Sequence, residues 1–113
     1  TGHLSVPNIT GDNTPSSLSK TMVTDVLREQ LGFDGVVITD SLGMGAVTDF
    51  YSTAESAIAA IEAGCDIALM PVSLSDAYQA VLQAAQNGIL SEERIDQSVT
   101  RILRMKSDYI GLI

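Results

Sequence analysis

The sequence predicts an α/β fold in which short parallel strands alternate with amphipathic helices. Two apolar runs, residues 35–40 and 66–71, each follow closely after a glycine that ends a helical pattern. Continuous apolar runs of this length are typical of parallel strands that are buried on both faces. Because helical patterns separate and follow the two runs, the elements have the order of repeating βα units.

The first 20 residues are rich in turn-forming residues, and we expect them to form a loop. Residues 1–4 could be the end of a third strand. Ser19 is the predicted N-cap of the first helix, and Gly32 is the residue that ends it. Apolar residues at helical spacing give this helix one apolar face: Met22, Val23, Val26, Leu27 and Leu31.

Three more helices are predicted after the first strand, and each is preceded by a polar residue that can cap it. The predicted N-caps are, in chain order, Thr53, either Ser73 or Ser75, and Ser91. Gly64 closes the first of these helices after Ala63, and residues 87–88 end the second after Ala85. The acidic residues 92–93 suit the positive end of the last helix dipole.

Both predicted strands have the composition of central strands, which need neighbours on both edges and helices on both faces. Two such strands cannot close a sheet by themselves. We therefore expect the chain to be the C-terminal portion of a larger α/β domain. A small, open α/β domain is the alternative.

The chain has 113 residues, with 14 acidic and 6 basic side chains and a net charge of −8, which fits one domain. The acidic balance argues against a nucleic-acid surface, which needs clustered Lys and Arg. Four basic residues do fall in one stretch, where their spacing predicts the solvated face of a helix: Arg94, Arg101, Arg104 and Lys106. The longest apolar run is too short for a transmembrane helix, and no signal-peptide pattern opens the sequence.

Asp40 is the main candidate for chemistry, because functional groups in parallel α/β folds lie at the C-terminal ends of strands. It could act as a nucleophile, a general base or a metal ligand, or it could simply cap the next turn. His3, after the presumed third strand, could contact a substrate or carry a proton, although a lone His near a terminus is more often incidental. Met44, in the loop after Asp40, either fills apolar space or lines a pocket.

The remaining polar positions favour structural roles. Asp34 and Asp66 precede the two strands and are interpreted as turn or cap residues at the opposite face, where a barrel serves stability. Cys65 is the single cysteine, and its apolar neighbours predict a buried, unreactive thiol. No phosphate-binding glycine loop is present, no spacing suits a metal site, and no cofactor is expected.

The stretch from Leu27 to Met44, LREQLGFDGVVITDSLGM, closely resembles the nucleophile region of glycoside hydrolase family 3. Within that family it resembles the β-N-acetylglucosaminidase branch. Residues 63–71 resemble the next strand, and residues 89–106 resemble the closing helix. Upstream, residues 2–7 and 15–19 resemble a strand end and a Pro-x-x-Leu-Ser helix start, so the resemblance covers nearly the whole chain.

The resemblance implies a (β/α)8 TIM-type barrel, of which residues 1–113 are the C-terminal portion of the catalytic domain. It maps Asp40 to the nucleophile of a retaining glycosidase, which forms a covalent glycosyl-enzyme intermediate. Ser41 stands where the β-glucosidase branch commonly has Trp, which favours terminal β-N-acetylglucosaminides from cell-wall or chitin-type glycosides as substrates. His3 and Met44 are carried over as substrate-side residues.

The resemblance also implies that a second group is missing. This branch takes its proton donor from a His on a flexible loop of an earlier strand, and no matching segment is present. We therefore expect the full-length protein to be an enzyme and this chain alone to be inactive. Hydrolysis or phosphorolysis, and a cytoplasmic or extracytoplasmic location, both stay open. The competing interpretations are a non-catalytic fragment that dimerises through exposed parallel edges, and a small binding module.

Overall fold

The computed structural model describes residues 1–111. Its helical elements are α1 (Pro7–Thr10), a 3-10 helix (Ser16–Leu18), a π-helix (Thr21–Gln30), α2 (Gly45–Thr48), α3 (Thr53–Ala63), α4 (Leu74–Gln86) and α5 (Glu92–Ile110). Three extended stretches lie among these helices: the first segment (residues 1–5), the second segment (36–40) and the third segment (66–70).

The three segments run parallel, with the second segment in the middle. Thr39 N–H donates to the Ile67 carbonyl at 3.1 Å, and Ile67 N–H donates to the Val37 carbonyl at 3.2 Å, which is the slanted pattern of a parallel pair. On the other edge, the Thr1 nitrogen donates to the Ile38 carbonyl at 2.5 Å. Asp40 N–H donates back to the Thr1 carbonyl at 2.7 Å. Of the possible strand end at residues 1–4, Thr1 pairs with the second segment, whereas Gly2 and Leu4 accept hydrogen bonds from residues 16–17 on the other edge.

The expectation that both main strands are regular and buried on both faces is wrong for the described residues. The second and third segments meet through one isolated parallel bridge, and Ile38 keeps 40% of its surface exposed. Val37 and Thr39 are buried against the helical side, so the side chains alternate between a covered and an uncovered face. The second face is therefore only partly covered by residues 1–111.

The N-terminal region is more ordered than the predicted loop. It contains α1 and the 3-10 helix, and an antiparallel bridge joins Ser5 to Pro15. Both the backbone N–H and the hydroxyl of Ser16 donate to the Leu4 carbonyl, at 2.9 and 2.6 Å. Ser17 N–H donates to the Gly2 carbonyl at 3.1 Å, so this region folds back along the first segment.

The first predicted helix is present, but it is a π-helix. Ser19 lies at its start, where the Ser19 hydroxyl accepts from Met22 N–H at 3.3 Å. At its end, Leu31 N–H donates to the Val26 carbonyl five residues earlier, and Gly32 has the left-handed φ of 70°. Leu31 is 71% exposed, so its assignment to the apolar face is wrong. Wider π turns rotate the later residues away from the face that 3.6-residue spacing predicts.

The α3 helix begins one residue earlier than predicted, because Ser52 and not Thr53 is its N-cap. Ser52 Oγ accepts from Glu55 N–H, and the Glu55 carboxylate accepts from Ser52 N–H, both at 3.1 Å, which forms a capping box. Gly64 ends the helix at φ 117°. A Cβ at Gly64 would lie 2.6 Å from Thr24 Oγ1, so this glycine also permits α3 to lie close to the π-helix.

The core consists of two apolar clusters beneath the segments. The larger joins α3 to the segments and the π-helix, and its buried members are Leu18, Val23, Val37, Leu42, Val47, Ala60, Ala63 and Cys65. The smaller lies between α3 and α4, where Ile61 packs with Ala84 and Leu90. Ser73 and Ser91 cap α4 and α5 through hydrogen bonds from N–H groups three residues later, as predicted.

A buried charge network at the N-terminal ends of the segments joins α5 to the rest of the fold. The Asp66 carboxylate is buried and lies 2.7 Å from Arg28 Nη2 and 3.1 Å from Arg101 Nη1. It also accepts from the Ser98 hydroxyl at 2.7 Å and from Val37 N–H at 2.9 Å. Asp66 thus serves stability at this face as expected, but as a buried ionic hub and not as a turn or cap residue.

The prediction that the basic residues form a solvated helix face holds for Arg104 and Lys106 and is wrong for Arg94 and Arg101. Arg94 donates to the Ile61 and Cys65 carbonyls at 3.1 and 2.7 Å and to the Ser98 hydroxyl at 2.6 Å. Arg101 reaches Asp66. Helical spacing cannot separate these two groups, because partners more than 25 residues away decide which arginines become buried.

Replacing Asp66 with alanine should strongly destabilise the protein, because two largely buried guanidinium groups would lose their carboxylate. Removing one partner of a buried ion pair typically costs about 3–5 kcal/mol. Urea unfolding followed by circular dichroism measures this change in the free energy of unfolding. The matched control is Asp34→Ala: its side chain is 78% exposed beside Arg104, and exposed pairs contribute little. Equal unfolding of the two variants would contradict the assignment.

The same network predicts the acid limit of stability. Burial alone would raise the pKa of the Asp66 carboxyl, but hydrogen bonds from Val37 and Ser98 and the charge of Arg28 outweigh it, so this pKa lies below its ordinary value. The stabilisation is therefore complete above the unfolded-chain pKa of about 3.9 and is lost as the pH falls through the lower folded value. Unfolding free energies measured from pH 7 to 2 should fall more steeply below pH 4 in the wild type than in Asp66→Asn. Parallel profiles would count against the network.

Candidate active site

Asp40 lies at the carboxyl end of the second segment, and its side chain is exposed. Its backbone N–H donates to the Thr1 carbonyl at 2.7 Å, which fixes the main chain of Asp40 against the first segment. One carboxylate oxygen, Oδ1, accepts from Ser41 N–H at 2.8 Å. Among residues 1–111, Oδ2 makes no hydrogen bond to the protein, and the residue is exposed to solvent.

The alternation of the second segment explains why Asp40 faces outward. Val37 and Thr39 point into the helical layer and are buried, and the Thr39 hydroxyl accepts from Leu69 N–H at 3.0 Å. Residues two apart share a face of an extended chain, so Asp40 lies on the same uncovered face as Ile38. The carboxylate is therefore carried by a backbone whose other face is anchored in the core.

His3 lies next to this strand end and is engaged through both ring nitrogens. Nδ1 lies 2.5 Å from the Ser17 hydroxyl, and Nε2 lies 2.7 Å from the Ser41 carbonyl oxygen. His3 thus joins the first segment, the 3-10 helix and the residue that follows Asp40. The structure places His3 beside the residue that follows Asp40, and the connection between the two candidate residues runs through Ser41.

The loop after Asp40 is anchored on both sides. Leu42 is buried, and its N–H donates to the Leu69 carbonyl at 2.9 Å. Gly43 N–H donates to Ser41 Oγ at 3.2 Å, and Met44 N–H donates to the Ser41 carbonyl at 3.3 Å. Met44 is 45% exposed, so it is not simply core filler. It lies in the same loop as Asp40, at the start of α2.

Two features near this site carried no signal in the sequence. Met70, the last residue of the third segment, has the left-handed φ of 48° and is exposed. Such a conformation costs free energy for a side chain other than glycine and is common near functional sites. Ser17 is fully buried and reaches His3, but it lies 14 residues away in the chain. Neither local spacing nor residue type predicts such contacts.

One cavity lies away from Asp40. It has a volume of about 480 Å³, opens between the π-helix and α5 and is lined by Arg28, Arg101 and other residues around the Asp66 network. It lies at the N-terminal ends of the segments, on the opposite side from Asp40. Since these arginines are already paired with Asp66, this cavity belongs to the stabilising face. The Asp40 face is open, with a wall on one side only.

Cys65 is confirmed as a buried thiol. Burial raises its pKa to about 11, and its Sγ donates to the Ser17 carbonyl at 3.4 Å, so the nucleophilic thiolate is disfavoured. Within residues 1–111, no group of three His, Cys, Asp or Glu side chains is arranged to hold a metal ion. Over the same range, no helix combines the length and apolar character that crossing a membrane requires.

Residues 1–105 match the family model for the glycosyl hydrolase family 3 N terminal domain. A solved family 3 β-N-acetylglucosaminidase from Paenibacillus sp. str. FPU-7 is 41% identical with a TM-score of 0.86, over 89% of this chain and 20% of that one. β-Hexosaminidase A of Pseudoalteromonas piscicida is 33% identical over 82% of this chain and 17% of its own. β-Hexosaminidase LpqI of Mycobacterium bovis is 39% identical over 97% and 30%.

These matches confirm the fold class predicted from the sequence, an α/β chain that corresponds to part of a (β/α)8 barrel domain. The chain spans 17% to 30% of the length of the three relatives.

Proposed function

The chain belongs to glycosyl hydrolase family 3, and we propose that it supplies the nucleophile, Asp40, of a retaining enzyme. The enzyme would release terminal β-N-acetylglucosamine from cell-wall or chitin-type glycosides. One observation carries this proposal: an exposed carboxylate lies at the carboxyl end of the middle segment, where Asp40 N–H is bonded to the first segment and its neighbours Thr39 and Leu42 are bonded to the third. In barrels of this class that end of the strands carries the chemistry.

The substrate class follows from the named relatives and from one position of the chain. The three relatives described above are named β-hexosaminidases or a β-N-acetylglucosaminidase, although fungal proteins named β-glucosidase C also match at 35% identity. Ser41 directly follows Asp40, and its small side chain accepts a hydrogen bond from Gly43 N–H. The β-glucosidase branch commonly has Trp there, which would occupy space beside the sugar. We therefore assign the chain to the N-acetylglucosaminide branch.

The chemistry asked of Asp40 is a displacement at the anomeric carbon. Oδ2, which has no recorded hydrogen bond within residues 1–111, attacks the sugar from the face opposite the leaving group. The bond to the leaving oxygen breaks as the glycosyl-Asp40 ester forms, and a proton donor protonates that oxygen. Water, which gives a proton to the former proton donor now acting as a base, then attacks the anomeric carbon, breaks its bond to Asp40 Oδ2 and restores the original configuration. The hydrogen bond from Ser41 N–H holds Oδ1 and so orients the attacking oxygen.

The proton donor must come from outside this chain. His3 is the only histidine, and both of its nitrogens are engaged within the fold. No second carboxylate lies at the carboxyl ends of the described segments. We therefore assign residues 1–113 to the C-terminal portion of a catalytic barrel. The other strands of that barrel would supply the acid and the remaining walls of the sugar site. No cofactor takes part in this chemistry.

A second candidate is a non-catalytic module that self-associates. The exposed face at Ile38 and the outer edge of the third segment, which pairs with no other segment within residues 1–111, favour it, because open parallel edges promote association. Gel filtration of the chain separates the two. A self-associating module elutes as a stable dimer, and the full-length enzyme with its edges covered elutes at its own monomer mass.

In the full-length protein, Asp40→Asn should lower the turnover of an aryl β-N-acetylglucosaminide by at least about three orders of magnitude, because the amide cannot form the glycosyl ester. The matched control is Asp108→Asn, the same change at an exposed position near the end of α5, which should leave turnover unchanged. A slow fluorinated substrate should leave a sugar adduct on the peptide containing Asp40, detected by mass spectrometry. Retained activity in Asp40→Asn would refute the nucleophile assignment.

The purified 113-residue chain should not hydrolyse the same chromogenic substrate above the background rate, since it carries one of the two groups that the reaction needs. The full-length protein, assayed in parallel with and without phosphate, is the positive control and also shows which nucleophile releases the sugar. Turnover by the isolated chain that Asp40→Asn abolishes would mean that the acid is not supplied by the rest of the barrel.

A further inference from the structure

We infer that His3 is a positioning residue that fixes the Asp40 strand end through the Ser41 carbonyl, and does not itself contact the sugar. This inference rests on the proposed role of Asp40. It replaces the expectation from the sequence that His3 is a substrate-side residue. Its basis is the pair of contacts that engages the ring: Ser17 Oγ at 2.5 Å from Nδ1 and Ser41 O at 2.7 Å from Nε2.

The chemistry of the two partners determines the proton on the ring. The Ser41 carbonyl has no proton to give, so His3 Nε2 must carry the hydrogen of that bond. The Ser17 hydroxyl can either donate or accept, and it therefore suits Nδ1 with or without a proton. Because both nitrogens are occupied by the protein, neither is available to a sugar hydroxyl or to a leaving group.

Ser41 is the element through which His3 reaches Asp40. The N–H of Ser41 donates to Asp40 Oδ1 at 2.8 Å, and the carbonyl of the same residue accepts from His3. A shift of the Ser41 backbone therefore moves the donor that orients the carboxylate. Asp40 N–H is itself bonded to the carbonyl of Thr1, two residues before His3. The first segment therefore holds the main chain on the N-terminal side of Asp40 through Thr1 and on its C-terminal side through His3.

His3 is in turn held from below. Ser17 is fully buried in the 3-10 helix, and its carbonyl accepts from Cys65 at the start of the third segment. The ring thus connects the buried layer with the strand end, and rotation of the ring would break both hydrogen bonds. Placement errors of about 1 Å can cost a factor of 100 in rate when a reacting group must be aligned. His3 is therefore expected to affect kcat through the position of Asp40.

Two substitutions in the full-length protein separate the two ring contacts. In His3→Gln the side-chain amide can still reach Ser41 and donate, whereas in His3→Asn the shorter amide keeps the Ser17 side and loses Ser41. We expect His3→Gln to keep kcat within about fivefold of the wild type. We expect His3→Asn to lose about 10- to 100-fold in kcat, with KM within about threefold. The rate of sugar trapping on Asp40 should fall by the same factor.

The other outcomes overturn the inference. Equal losses in both variants with a raised KM would mean that His3 binds the sugar, and loss of one limb of the pH–rate profile would mean that it carries a proton. Unchanged kcat in His3→Asn would mean that it does neither and positions nothing. Asp40→Asn, assayed beside them, tests the proposed function separately. If this variant kept full activity, the nucleophile assignment would be refuted, whatever the His3 variants show.

A measurement on the wild-type protein keeps the inference testable even if His3→Asn does not fold. Nitrogen-15 spectra of the histidine-labelled full-length protein report which ring nitrogens carry hydrogen, and the His3 signals are identified by their absence in His3→Gln. A proton on Nε2 is expected between pH 6 and 8. A bare Nε2 would overturn the inference, because the Ser41 contact could not then be a hydrogen bond.

Discussion

The fold depends on the burial of one carboxylate, that of Asp66, where three separate parts of the chain meet. Arg28 comes from the π-helix, Ser98 and Arg101 come from α5, and the Val37 N–H comes from the second segment. A buried carboxylate without such partners would cost several kcal/mol, so the sequence must bring all of them to one place. Asp66 therefore ties α5, which contributes few apolar contacts here, to the segments.

The same carboxylate sets the register of the segments. The Asp66 carboxylate accepts from Val37 N–H, and the next residue, Ile67, pairs with Thr39 through its carbonyl. The second and third segments are therefore fixed relative to each other at their N-terminal ends. Counting along the extended chain from this point places Asp40 at the opposite end, beside Leu69 and the loop. The two carboxylates, Asp66 and Asp40, thus lie at opposite ends of the segments and in different surroundings. At one end the acid is buried and neutralised, whereas at the other end the acid is exposed without a cationic partner within residues 1–111.

Much of the local structure could be predicted from the sequence, because caps and helix ends act over four residues or fewer. Ser73 and Ser91 cap the helices as expected, and Gly64 ends α3. The failures come from contacts between distant residues. Asp66 and Asp34 both precede a strand and cannot be told apart locally, yet one is buried between arginines and the other is exposed. The position of Asp40 was predictable from strand order, while the His3 contact with Ser41, 38 residues away, was not.

The location of Asp40 on the middle segment has a physical consequence for catalysis. The second segment has hydrogen-bonded neighbours on both edges, and so does the first segment, which pairs with the second through Thr1 and with residues 15–17 on its other edge. The main chain around Asp40 is therefore held from both sides, by Thr1 on one edge and by Leu69, which accepts from Leu42 N–H, on the other. A nucleophile must be aligned to a fraction of an ångström in the transition state. The conformational entropy that this alignment costs is lost on folding, before the substrate binds. Under the proposed function, the exposed face at Ile38 is where the remaining walls of the barrel would complete the sugar site, next to a carboxylate whose main chain is already fixed.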